Sequence, residues 1–250
     1  MTVYTQISAG LNEIKYHLAL SRLLTGDGIQ HQFKPRGVLM HRGIKADEFE
    51  ADIVIAGLNV SELKVLREAF AAAHSTQLFC YLKSWGIDAG LLFDFGKKRL
   101  VPKRLNYRPG PLAELTIDKL FATWPDKIRK HRCMCHVVES LLRVYAQHGV
   151  GYRDTTYQGL LSADLAAEMT PLQQRPNVDV AFNGEILGTS DLKCIVVDEA
   201  VAVMIIVLYS NIRAAGKRIM QTYLRLLNLD YDIIANFGNK TLQLQPIQHQ

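Results

Sequence analysis

The run Asp52-Ile53-Val54-Ile55-Ala56-Gly57-Leu58-Asn59-Val60-Ser61-Glu62-Leu63-Lys64 decides the fold. Ile53 to Ile55 read as a strand, Ala56 to Asn59 hold the turn former Gly57, and Val60 to Val65 read as the returning strand of a β-hairpin. Position 57 lies midway between 52 and 62, so a turn centred there sets Asp52 opposite Glu62 across the pair. Lys64, two residues on, points to the same sheet face as Glu62. Two carboxylates and one amine then share one small site. Such a set can hold a divalent cation, acidify water beside it and neutralise charge that develops on a phosphate. An isolated Glu-x-Lys is equally a cross-strand ion pair on a solvated sheet face, so the surrounding sequence has to choose between the two.

The segment Leu66 to Leu82 is alanine-rich and helix-forming from about Ser75 onward. Gln77 and Tyr81 are four residues apart on that helix, one turn above each other, which lets an amide and a phenol face the hairpin together.

The order Gly10-x-x-Glu13-x-x-Tyr16, then Asp52, then Glu62-x-Lys64, then Gln77-x-x-x-Tyr81-Leu-Lys, then Phe95-Gly96 resembles the GxxExxY proteins of the PD-(D/E)XK nuclease superfamily. The resemblance implies that Asp52 and Glu62 bind magnesium (or manganese) and that Lys64 assists the attacking water. It also implies that Glu13 adds to the acidic cluster and that Gln77 is an auxiliary site residue. For Tyr16 and Tyr81, packing of the ring against the sheet is as good a reading as a role in the site.

The pattern recurs. Gly151-x-x-Asp154-x-x-Tyr157 echoes the first motif, Tyr223-Leu-Arg-Leu-Leu-Asn-Leu-Asp echoes Tyr81-Leu-Lys-Ser-Trp-Gly-Ile-Asp, and Phe237-Gly238 echoes Phe95-Gly96, at offsets of 141, 142 and 142 residues. A repeat at this distance means two copies of one domain. The expected fold is therefore α/β, with two tandem PD-(D/E)XK nuclease-like domains, each a mixed β-sheet flanked by helices. The domains are placed at 1–108 and 130–250, with 109–129 as linker, because Pro109-Gly110-Pro111 and Pro125 bracket a short amphipathic stretch from Leu112 to Trp124. In the second copy Met204, Ile206 and Ile219 stand where the first has Glu62, Lys64 and Gln77, and Asp191, at a shifted spacing, is the available counterpart of Asp52. The second copy is thus degenerate. It opens with an amphipathic helix over Val137 to Gly149, whereas the first has Met1 to Ala9 before Gly10. That difference suggests that the second copy supports the first as an intramolecular pseudo-dimer, with further oligomers open.

With 250 residues, 48% apolar and 21% charged, each half can bury a core. The run Val201 to Tyr209 is too short to span a bilayer and, being rich in β-branched residues, reads as a buried central strand. The start Met1-Thr-Val-Tyr-Thr-Gln lacks a basic and then apolar block, which leads to an expected cytoplasmic location without a membrane partner. Cys80 and Cys194 read as small apolar residues. Cys133-Met-Cys135-His136 has no second Cys/His pair at zinc spacing and starts a helix on which 133 and 135 point apart.

The net charge of +5 is unevenly distributed. Lys97-Lys98-Arg99 and Lys103-Arg104 follow Phe95-Gly96 directly, and Lys127, Arg129, Lys130 and Arg132 come in the linker region. Basic clusters beside an acidic metal site suit a polyanion held by its backbone phosphates, so the expected partner is nucleic acid, DNA or RNA. They suit ordinary solvated loops as well. The expected function is a divalent-metal-dependent nuclease that hydrolyses phosphodiester bonds. The alternative is a non-catalytic nucleic-acid-binding or assembly module that reuses the nuclease fold.

Overall fold

The computed structural model describes residues 2–108, 110–208, 210–238 and 241–248. Met1, Pro109 and Tyr209, used above as a first residue, a boundary proline and a strand end, lie outside the described residues. The chain divides into two compact units. The first comprises Met1–Leu39, Asp47–Gly110 and Gly151–Arg153; the second comprises Met40–Ala46, Pro111–Val150 and Asp154–Gln250.

The first repeat runs α1 (Thr2–Ile7), α2 (Glu13–Gly26), β1 (His31–Phe33), a hairpin of β2 (Arg36–His41) and β3 (Ile44–Glu50), β4 (Ile53–Ile55), β5 (Asn59–Lys64), α3 (Ala72–Trp85), β6 (Ala89–Asp94) and β7 (Val101–Asn106). Five of these strands form one sheet in the order β1-β4-β5-β6-β7. Only β5 and β6 are parallel neighbours, and α3 supplies the crossover that a parallel pair needs. The β4–β5 hairpin has the expected register, with Ile53 opposite Ser61 and Ile55 opposite Asn59. Ala56 and Gly57 carry its turn at φ values of 49° and 66°. Helix α3 starts at Ala72, three residues before the expected Ser75, because the ring of His74 accepts the Ala71 N–H and caps the first turn. Gly86, left-handed at φ 64°, ends it.

The second repeat begins after α4 (Ile117–Phe121) and α5 (Asp126–Arg129) with α6 (Arg132–His148) and α7 (Asp154–Ala167). It continues through β8 (Leu172–Gln174), a hairpin of β9 (Asn177–Phe182) and β10 (Glu185–Asp191), β11 (Ile195–Val197), β12 (Val201–Ile206), α8 (Ala214–Leu227), β13 (Tyr231–Asn236) and β14 (Gln243–Gln248). Its sheet, β8-β11-β12-β13-β14, repeats the first in order, and again only the third and fourth strands, β12 and β13, run parallel. Val201 to Ile205 are all buried, as a central strand requires.

The residues shared by both copies turn out to be a frame. Tyr16 stacks on Phe95 at 4.4 Å between ring centroids and donates its hydroxyl to the Ser8 carbonyl at 2.8 Å. Tyr157 stacks on Phe237 at 3.9 Å and donates to the Gly149 carbonyl at 2.8 Å. Asp94 Oδ1 accepts the N–H groups of Leu66 and Gly96 at 3.0 and 2.9 Å; Asn236 Oδ1 accepts those of Leu208 and Gly238 at 2.9 and 3.0 Å. In each copy this ties the loop after the third sheet strand to the end of the fourth. In the first unit Val3, Tyr16, Leu63 and Phe95 form a core cluster, with Tyr4, Leu20 and Leu23 packed around it. Leu63 faces that cluster, so strand alternation turns its neighbours Glu62 and Lys64 to the other face of β5.

Among the described residues no helix is long and apolar enough to cross a membrane.

Candidate active site

Asp52 immediately precedes β4 and Glu62 lies across from it on β5, and both are almost fully buried, at 3% and 1% exposed. Charged groups at such depth require partners. Asp52 has three. Lys34 Nζ lies 2.6 Å from its Oδ1, the Leu63 N–H donates to Oδ2 at 2.8 Å, and His17 Nε2 stands 3.1 Å from Oδ2. His17 Nε2 is also 3.8 Å from Glu13 Oε1, the i,i+4 neighbour on α2. Glu13, His17 and Asp52 each bring one ligand atom to within 4.8 Å of the others, and among the described residues this is the one His/Cys/Asp/Glu group that could hold a metal ion.

Glu62 is held on one side only. Its Oε1 accepts from Lys64 Nζ at 2.6 Å and from Gln77 Nε2 at 2.9 Å, while Oε2 is buried without a hydrogen-bond partner. Gln77 also donates to the Tyr81 hydroxyl at 2.7 Å, so the amide and phenol predicted on one helix face do meet, at the hairpin. Tyr81 is buried and stays protonated, its pKa pushed up to about 12 by burial.

The two carboxyls have opposite electrostatics. Burial alone would raise Asp52, but the contacts with His17, Lys34 and the Leu63 N–H outweigh it and bring its pKa to about 2. Burial and then the charge of Asp52 push Glu62 up to about 7, against the pull of Lys64. Burial works to lower the Lys64 pKa, yet the charges of Glu62, Glu13 and Asp52 carry it above its ordinary value. One carboxylate is therefore firmly ionised, while its neighbour has a spare oxygen and too few cations. A divalent ion satisfies both conditions. The donor set fits a cation: hard oxygens from Asp52 and Glu13 with the His17 imidazole beside them, and, outside that group, the unpaired buried Oε2 of Glu62.

Sequence reasoning missed His17 and Lys34. The spacing Glu13-x-x-x-His17 on a helix was available as a signal for the first. For Lys34 no local pattern existed; it reaches Asp52 because β1 pairs with β4 and the Lys34 N–H donates to the Asp52 carbonyl at 2.9 Å.

The degenerate copy requires a correction. The counterpart of Asp52 is Cys194, not Asp191: the Arg175 N–H donates to the Cys194 carbonyl at 2.9 Å, as Lys34 does to Asp52, and Cys194 immediately precedes β11 as Asp52 precedes β4. Asp191 ends the β9–β10 hairpin, exposed, accepting from Asn177 at 2.6 Å. Cys194, Ala202, Met204, Met220, Leu224 and Ile234 share an apolar core where the first unit has its polar site. The Cys133 and Cys135 thiols donate to the carbonyls of Val197 and Arg129, and His136 pairs with Thr170.

The basic residues after Phe95 are placed differently from one another. Lys97 Nζ donates to the carbonyls of Leu66, Arg67 and Glu68 at 3.2, 2.6 and 2.7 Å, stapling the loop that follows β5. Lys98 and Arg99 are exposed. On β7, Lys103 is in register with Leu92 and through it with Glu62, which sets it on the Glu62 face of the sheet two strands away, and its Nζ donates to Ser75 Oγ at 3.1 Å. Arg104 lies on the opposite face and donates to Asn106 at 3.2 Å.

No curated protein matches the sequence significantly. Among solved structures, that titled "Crystal structure of SSO0001" matches with 22% identity over 52% of this chain and 64% of that chain, at a TM-score of 0.31. The matched part thus spans less than two thirds of that chain's length. The family model described as "PD-(D/E)XK nuclease superfamily" matches twice, over residues 1–105 and 131–248. These stretches take in both sheets and their helices, and the chain belongs to the PD-(D/E)XK nuclease superfamily.

Proposed function

We propose that the first repeat is a divalent-metal-dependent nuclease, a member of the GxxExxY group, that hydrolyses phosphodiester bonds of DNA or RNA. The observation that carries this reading is that Lys64 and Gln77 both grip Glu62 Oε1, across the hairpin from Asp52, while Glu62 Oε2 is buried without a hydrogen-bond partner. Asp52, Glu62 and Glu13 would hold the cation, with magnesium or manganese the expected ion. When bound, the cation supplies Lewis acidity, making water more acidic and offsetting charge on the attacked phosphate.

The chain's own groups do the rest. Lys34 and the Leu63 N–H keep Asp52 ionised and fixed in orientation. Gln77 grips Glu62 Oε1, which leaves Oε2 free to face the ion. Lys64, its side chain 15% exposed, has its ammonium at the edge of the site, where negative charge builds on the phosphate oxygens as the bond to phosphorus forms. With Lys97 held by loop carbonyls and Arg104 on the opposite sheet face, contacts to flanking phosphates fall to Lys98, Arg99 and Lys103.

The test is incubation of the purified protein with labelled DNA and RNA, with and without magnesium or manganese, alongside Lys64→Ala. Metal-dependent cleavage that disappears in the variant supports the reading; equal cleavage by both overturns the mechanism. A second reading, a binding or assembly module without catalysis, is favoured by the apolar replacement of the same site in the second repeat. It predicts nucleic-acid binding with no cleavage under any cation.

A further inference from the structure

We propose that the β9–β10 hairpin docks on a second copy of this chain, its tip seated on the exposed face of α2 in that copy, and that the pairing is reciprocal, giving a closed dimer. The inference goes beyond the reading above and does not depend on cleavage.

The tip of the hairpin is apolar and open to water. Phe182, Ile186 and Leu187 are 65%, 66% and 70% exposed. Phe182 stands opposite Glu185 and Ile186 opposite Ala181, so strand alternation puts the two large side chains on opposite faces of the ribbon. Neither face hides its apolar side chain. Such a concentration of exposed apolar groups marks a surface that meets another surface.

The twin of this hairpin identifies the kind of surface. β2–β3 turns through Arg42 and Gly43 at φ values of 49° and 80°, and β9–β10 turns through Asn183 and Gly184, 141 residues on, at 51° and 83°. Within the second unit the β2–β3 tip is seated on α7: His41 Nε2 is 2.8 Å from Asp164 Oδ1, Arg42 donates to Glu168 at 2.7 Å, and the Ala46 carbonyl occupies the space that Gly159 leaves. A basic tip there meets an acidic helix end. The counterpart of α7 in the first repeat is α2, on which Ile14 and Leu18 stand where α7 has Thr155 and Gly159. On α2 that face is bare. Leu11, Ile14 and Leu18 are 43%, 41% and 41% exposed, and the exposed Lys15 and Arg22 lie beside them at helical spacing.

The two bare surfaces match each other with the charges reversed. Residues 177–191 include Asp179, Glu185 and Asp191 and no lysine or arginine. An acidic hairpin with an apolar tip therefore faces an apolar helix stripe bordered by two cations, which sets both partner and register. The apolar exchange is also paired: Phe182 stands where the first hairpin has His41, and Leu18 stands where α7 has Gly159. Leu18 fills the notch that a polar tip would enter and offers instead a side chain for Phe182 and Leu187 to cover. Both surfaces remain exposed in the single chain, and a second copy related by a two-fold axis supplies each with its match.

The experiment is sedimentation of the full chain over a range of concentrations, with thermal unfolding of every variant as the control for folding. Expected is a dimer that dissociates at least about tenfold more readily in Phe182→Ser with Leu187→Ser, two exposed positions whose replacement leaves the melting temperature unchanged. Asp179→Lys with Glu185→Lys should weaken the dimer as well, and adding Lys15→Glu with Arg22→Glu to the same chain should restore it. A wild-type chain that stays monomeric up to about 100 μM would overturn the proposal. So would a dimer that the Phe182 and Leu187 changes leave intact, a failure of the second charge reversal to restore pairing, or growth beyond two chains.

Discussion

Lys64 Nζ lies 2.6 Å from Glu62 Oε1, two residues away along the same strand face. The amine and Gln77 thereby occupy one oxygen of the carboxyl and leave the other buried and bare. Replacing Lys64 by alanine removes the positive charge that faces the reacting phosphate but leaves the Gln77 contact. Cleavage should fall by about a hundredfold or more. Stability should change by less than about 1 kcal/mol, since Glu62, already raised to about 7, can take up a proton instead. Cleavage rates and thermal unfolding of the two proteins check this together.

How much of this was legible in the sequence depends on how local the cause is. The β4–β5 hairpin was readable because Gly57 and the alternation around it act over a few residues, and with it came the pairing of Glu62 and Lys64. Gln77 was readable from its spacing to Tyr81 on one helix. Lys34 was not, because its approach to Asp52 depends on β1 lying beside β4, a pairing of distant segments. The choice of Asp191 over Cys194 has a different cause. Cys194 stands 142 residues from Asp52, the offset that also relates Met204 to Glu62 and Ile206 to Lys64, so the position was readable, and the expectation of a carboxylate led away from it; the pairing of β11 with β8 and the Arg175 hydrogen bond fix the equivalence.

Gly96 and Gly238 provide a test of the repeated frame. A Cβ on Gly96 would sit 2.3 Å from the Leu66 carbonyl oxygen, and one on Gly238 would sit 2.2 Å from the Leu208 nitrogen, backbone atoms that the Asp94 and Asn236 caps hold in place. Gly96→Ala and Gly238→Ala should each destabilise the protein by about 2 kcal/mol or more, through the same clash in two places. Denaturant unfolding of the two variants reads it; a neutral result for either removes that glycine from the frame.

Asp232, on β13, gives a pH dependence. It is fully buried, neither carboxyl oxygen has a hydrogen-bond partner, and burial pushes its pKa from 3.8 to about 8. The folded pKa lies above the unfolded one, so the stability that depends on its proton is complete below about pH 4 and is lost as pH rises through about 8. Asp232→Val, which suits a strand position between Ala202 and Ile247, should melt higher than wild type at about pH 8, by the equivalent of about 1–3 kcal/mol. The advantage should shrink toward acid pH. Melting curves across that range decide it, and an advantage independent of pH would assign the effect to packing instead.

Each unit also depends on a short segment from elsewhere in the chain. The first unit includes Gly151–Arg153, in which Tyr152 stacks on Phe49 at 5.9 Å, lies under the Lys83 amine at 4.0 Å, and is buried together with Phe49. The second includes Met40–Ala46, from which His41 Nε2 contacts the fully buried Asp164 at 2.8 Å and His41 Nδ1 contacts His148 at 3.0 Å. Gly159 on α7 makes room for the Ala46 carbonyl, since a Cβ there would stand 2.0 Å from that oxygen. A fragment of residues 1–110 exposes Phe49, and a fragment of residues 111–250 leaves Asp164 with Arg143 but without His41 and Arg42. Losing a buried aromatic contact costs about 3 kcal/mol, and uncovering a buried carboxylate costs a comparable amount. Both fragments should therefore unfold at lower temperature than the full chain. In the full chain, Tyr152→Ala should weaken the first unit with little effect on the second, and His41→Ala should do the reverse. Hydrogen exchange, resolved by residue, distinguishes the two units in each variant. A fragment of 1–110 as protected as the same residues in the full chain would mean that Gly151–Arg153 only rests on the first unit and does not stabilise it.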